Sequence, residues 1–282
     1  MFRTLFLLLL SLPLCAVPIE KVEEVFSADY VLKGSSDDED VMLCLHGFGM
    51  DETIACFVHD TKMAPYHLVG FNFPDWGDEI DITKPEQLCF GTIAELKPAI
   101  LRLHSLVTNL HAERIHLYGF SAGGGAAVNL LSVLRCHRFQ KELGLTADEM
   151  DAIYAAIERG TVVLDCPLKS IDEIADAREA ESLYLQDESS SDIQYLKRCA
   201  AIYKANDLRP IDSLLKLSGS KLNVVLVLQQ PDDIVSNRDD ALFVKRLEAA
   251  NCAGKTVIVY GPEGCHVPAM PSLVTAYTTY IL

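Results

Sequence analysis

Apolar residues fall along this chain in two rhythms. Short, nearly unbroken runs at 41–45, 68–73, 114–118, 161–164, 222–228 and 256–260 have the length of buried strands, and the longer segments 92–110, 122–134, 239–250 and 271–281 carry the period of helices. Strands that are apolar on successive residues must be covered on both faces. The alternation therefore predicts an α/β fold, a mainly parallel sheet between layers of helices. Two stretches break the rhythm. Residues 136–159 read as further helix, and residues 169–220 are longer than a plain crossover requires. Within the latter, 171–192 hold eight carboxylates against Arg178 alone. Such a stretch is either a solvated helical face or a cap laid over a site.

Composition narrows the class. A chain of 282 residues, half apolar and 23% charged, buries enough surface to fold as one large domain and is neither disordered nor fibrous. Forty acidic against twenty-four basic side chains give a formal charge of -16, a field that repels phosphate backbones, so nucleic acid is not an expected partner. At the amino terminus Arg3 precedes an apolar run, 5–14, broken only by Ser11 and Pro13, and Ala16 offers a small residue for cleavage. Residues 1–16 thus read as a signal peptide, too short to span a bilayer, and the protein as exported: secreted, or periplasmic in a Gram-negative bacterium. That leaves 17–282 as the folded domain, with the helical insert at about 136–220 and no later membrane span.

Eight cysteines remain beyond the signal. Their even number permits disulfides in an exported chain, but Cys44 and Cys166 lie in or beside apolar runs, where a thiol behaves as a small buried hydrophobe. No Cys-x-x-Cys or His-Glu-x-x-His occurs, so neither a metal nor a redox cofactor is expected.

The sharpest chemical signal is Gly119-Phe120-Ser121-Ala122-Gly123, between the run 114–118 and a helix opening on small residues. A serine on a sharp strand-to-helix turn has a strained backbone, and glycines two positions to either side let strand and helix pass closely. The spacing fits neither a phosphate loop, which needs Lys, nor a dinucleotide fingerprint, which needs a third glycine where Val128 stands.

This segment resembles the nucleophile elbow of the α/β-hydrolase superfamily, and three further segments are similar to that family's remaining parts. Leu45-His46-Gly47-Phe48 resembles its His-Gly loop. The resemblance implies an oxyanion hole of the Phe48 and Ala122 backbone N–H groups, with His46 structural. After the run 222–228, Asp232 stands in the register of the family's acid, with Asp233 one position away and Asp165, after another strand, as alternatives. His266 ends a loop similar to the family's His turn. The order Ser121, Asp232, His266 matches that of the fold.

The resemblance implies a serine hydrolase of esterase or lipase type, needing no cofactor and acting on a small-molecule or lipid-derived ester. Ser121 would be the nucleophile, His266 the base and Asp232 its orienting partner. A serine peptidase or acyltransferase of the same fold, or a binding module that lost the chemistry, are the alternatives. A histidine base makes activity fall as pH drops through about 6 to 7.

Overall fold

The computed structural model describes residues 16–60, 66–74, 91–185, 190–230, 232, 234–235, 237–261 and 266. The signal expected over 1–16, but for Ala16, lies outside them, as do Asp233 and the helix expected over 271–281.

The chain opens with β1 (Val17–Pro18), α1 (Ile19–Val25), β2 (Tyr30–Leu32), β3 (Asp38–Leu45), α2 (Ile54–Asp60) and β4 (Tyr66–Phe71). It continues through α3 (Ile93–Asn109), β5 (Ile115–Phe120), α4 (Ala122–Cys136), α5 (Gln140–Leu143), α6 (Ala147–Arg159) and β6 (Val162–Asp165). The insert follows: α7 (Ile171–Leu185), α8 (Ser190–Ala205), α9 (Pro210–Ser213) and a 3-10 turn, Leu214–Leu217. The chain then returns through β7 (Asn223–Leu228), α10 (Asp240–Ala250) and β8 (Lys255–Tyr260).

The strands form one sheet in the order β2-β4-β3-β5-β6-β7-β8, with β1 also paired to β3. Pairing is parallel from β4 through β8, and β1 and β2 are antiparallel. Odd and even positions send side chains to opposite faces. Val41, Leu43 and Leu45 of β3, with Ile115 and Leu117 of β5, join one core cluster, whereas Met42, Cys44, Tyr118 and Phe120 join the other. Residues of α3, α4, α6 and α10 pack the first face, and Ile54, Ala55 and Val58 of α2 pack the second. Each expected strand is present within a few residues; β4, β5 and β6 are buried throughout, whereas β8 is a partly exposed edge strand read from its apolar run alone. Helix 136–159 is instead two pieces, since His137, Phe139 and Gly144 all take positive φ and the chain turns there.

Every parallel strand ends at the same edge of the sheet, so the residues after β3, β5, β7 and β8 are brought to one crevice. Among the described residues no helix is long and apolar enough to cross a membrane, and none of them form a cluster able to hold a metal ion. Cys44, Cys56, Cys136, Cys166, Cys199 and Cys252 are free thiols.

Candidate active site

Ser121 occupies the turn from β5 into α4 with φ 52° and ψ -118°, a backbone conformation that costs roughly 1–3 kcal/mol and persists only where its surroundings over-determine it. Here they do. The Ser121 N–H donates to the Asp165 carbonyl at 2.9 Å, and the Ser121 carbonyl accepts from the N–H groups of Leu168 at 2.7 Å and Gly125 at 3.2 Å. The flanking glycines are required by close approach. A Cβ at Gly119 would lie 2.6 Å from the Gly123 carbonyl oxygen, and one at Gly123 would run into the carbonyls of Leu45 and His46.

Asp232 and His266 meet beyond the ends of β7 and β8. His266 Nδ1 lies 2.8 Å from Asp232 Oδ2, with both side chains about 5% exposed or less. The carboxylate can only accept, so Nδ1 carries the proton and Nε2 is left basic. The other oxygen, Oδ1, accepts the N–H groups of Ile234 at 2.9 Å and Val235 at 2.7 Å. Burial alone would raise the Asp232 pKa, but the His266 hydrogen bond and these two amides outweigh it and hold the carboxyl below its ordinary value. The Phe120 ring lies 5.0 Å from the His266 imidazole, centroid to centroid, and tilted against it.

Ser121 and His266 line one cavity of about 390 Å³, and Gly47, Phe48 and Ala122 line it with them. Ala122 is the first residue of α4, and the leading N–H groups of a helix have no acceptor within it. The sequence-derived candidates Ser121, His266, Phe48 and Ala122 are thus gathered at one cavity, with Asp232 directly behind the imidazole. His46 is fully buried, its Nδ1 2.9 Å from the Gly47 carbonyl oxygen. Asp165 is engaged elsewhere: Tyr118 donates its hydroxyl to Oδ2 at 2.7 Å and Cys166 its thiol to Oδ1 at 3.4 Å.

No family model and no curated protein matches the sequence. Solved structures do. Esterase B of Lactobacillus rhamnosis HN001 superposes with a TM-score of 0.54 at 14% identity, over 82% of this chain and 67% of that one. Est1E of Butyrivibrio proteoclasticus, with ferulic acid bound, gives 0.54 at 12% identity over 90% and 93%. The chain has the α/β-hydrolase fold.

Within that fold, two features go further than the sequence could specify, the first being the insert expected as either a solvated face or a cap. The insert contributes a wall of the cavity, through Ile171 and Ile174 of α7 and Tyr195, Leu196 and Cys199 of α8. The acidic stretch gave the surface of these helices but not which apolar side chains turn inward. The second is a polar lattice behind Asp232. Lys169 forms a buried ion pair with Asp240, whose other oxygen accepts from Gln230 at 3.1 Å and Asn237 at 2.9 Å. These residues are far apart in sequence and follow no spacing rule, so no motif announces them.

Proposed function

We propose that this protein is an exported serine hydrolase that cleaves carboxylic esters. The observation that carries the reading is the His266–Asp232 pair at 2.8 Å, lining or backing the same cavity as a serine on a strained turn. In this reading His266 Nε2 takes the Ser121 hydroxyl proton as the oxygen attacks the ester carbonyl. Asp232 fixes the tautomer and stabilises the imidazolium. The carbonyl oxygen gathers negative charge against the N–H groups of Phe48 and Ala122, donors whose loss typically costs roughly 2.7–4 kcal/mol of transition-state stabilisation. The proton returns to the departing alcohol, leaving an acyl-enzyme at Ser121. Water, deprotonated by the same imidazole, then releases the acid. Likeness in fold to esterase B supports an ester over an amide substrate.

A fluorophosphonate probe tests the reading. Labelling of the wild-type protein that disappears in Ser121→Ala, together with turnover of p-nitrophenyl butyrate, is expected. Folded protein that takes no label is instead a binding module. Labelled protein that cleaves only peptide amides is a peptidase.

A further inference from the structure

We infer that the site is built for uncharged esters whose acyl part is a flexible apolar chain of about six to ten carbons. This rests on the serine-hydrolase reading above. The cavity is graded from mouth to floor. Phe48 and Ile234, 44% and 49% exposed, stand at the mouth; Leu168, Ile171, Tyr195 and Cys199, each 7% exposed or less, form the depth. Among the described residues the lining holds no Lys, Arg, Asp or Glu. A carboxylate or phosphate on the acyl group would lose its water there and gain no counter-ion, which excludes charged acids from the depth.

Size sets the length. An apolar cavity of 150 Å³ holds a benzene, about 25 Å³ per carbon, so 390 Å³ holds roughly fifteen non-hydrogen atoms. The ester group and the near part of the alcohol take some of these, leaving about six to ten for the chain. The walls favour a chain over an aromatic acid. Leu168, Ile171, Ile174, Leu196, Ile234 and Val235 make branched aliphatics the commonest lining type, and of the three aromatic rings, Phe48 stands half-exposed and Phe120 is already packed on His266.

The test is kcat/KM of the purified protein on p-nitrophenyl esters from acetate to palmitate, with hemisuccinate and cinnamate added. Each buried methylene is expected to raise kcat/KM about fourfold, the equivalent of ~0.8 kcal/mol. Octanoate should therefore exceed butyrate by about 10²-fold, with a fall by palmitate, and hemisuccinate should be at least about tenfold poorer than butyrate. Cys199→Phe, which fills the floor, should lower the octanoate-to-butyrate ratio at least about tenfold. An optimum on acetate, a rise that continues through palmitate, cinnamate outrunning octanoate, or hemisuccinate matching butyrate overturns the inference while fluorophosphonate labelling of Ser121 stays intact. Loss of both labelling and all ester turnover would instead remove the reading beneath it.

Discussion

Asn237 holds Asp232 by its backbone. The carboxamide oxygen accepts the Asp232 N–H at 3.0 Å, while its nitrogen donates to the Gln229 carbonyl at 2.8 Å and to Asp240 Oδ2 at 2.9 Å. One side chain thus closes the turn between β7 and α10. Through Asp240 it is tied to Lys169, in the segment that follows β6. The Asp232 carboxylate is left for His266 and the two amides of the turn.

Removing that clasp should cost turnover more than binding. Asn237→Ala is expected to lower kcat on a good ester about tenfold with KM changed less than about twofold. It should also destabilise the fold by about 1–3 kcal/mol, because it leaves part-buried groups unpaired. Asn237→Asp, which sets a second carboxylate beside Asp240, should be worse still. Steady-state kinetics with thermal melts checks this; wild-type kcat in a variant of normal stability would show that Asn237 does not position the acid.

Two buried aspartates invite a direct contest. Asp232→Asn should lose on the order of 10⁴ in kcat, the size of effect that follows when an imidazole is held in the wrong tautomer. Asp165→Asn should keep kcat within about tenfold, since its carboxylate serves Tyr118 and Cys166. The folded-state pKa of Asp232 is depressed, so this group favours the fold above the unfolded value near 4 and loses that contribution as acid reaches the lower pKa.

The elbow leaves no room for a methyl group. Gly123→Ala would drive a Cβ into two carbonyl oxygens of the β3 loop, backbone atoms that cannot rotate aside. A loss of at least about 3 kcal/mol is expected, or about 6–12 °C in melting temperature, with ester turnover falling further because the Phe48 N–H moves with that loop. A melt within 2 °C of wild type, roughly the resolution of a ~1 kcal/mol change, would contradict the close contact.

Glu95 makes the stability of the fold depend on pH between about 4.5 and 8. It is buried on α3 with the Gly91 N–H on Oε2 at 2.6 Å, and burial pushes its pKa up to about 8. The sign follows directly. The folded state holds this proton more tightly than the unfolded chain, so stability falls as pH rises from about 4.5 towards 8 and levels off beyond. Glu95→Gln, which keeps the Gly91 bond without the charge, should raise the melting temperature little at pH 5 and by about 5 °C or more at pH 8. An equal gain at both pH values would assign the effect to packing.

Much of this molecule was legible beforehand, for a physical reason. A sheet covered on both sides writes itself as continuous apolar runs, so β3 through β7 could be placed within a few residues, and the partly exposed edge strand β8 kept enough of the same run to be placed with them. The Gly-x-Ser-x-Gly segment is likewise forced, since only glycine fits where Gly119 and Gly123 lie against backbone. What could not be read depends on contacts between distant residues. Asp232, Asp233 and Asp165 stay open as acids in the sequence, and the contact of His266 with Asp232 arises only once β7 and β8 lie side by side. β1 and β2 were missed because two or three residues carry no period. The inward side chains of α7 and α8 were hidden by a helical pair whose charge is spread around it.

The helical pair α7–α8 departs from and rejoins the rest of the chain at adjacent points: the Ile211 N–H donates to the Lys169 carbonyl at 3.0 Å, closing its base like a drawstring. Ser121, Asp232 and His266 all belong to other parts of the chain. A different helical hairpin spliced between positions 169 and 211 would meet the same two anchor points, so diversification of substrate preference in this scaffold can proceed by exchanging a lobe while the chemistry is inherited whole.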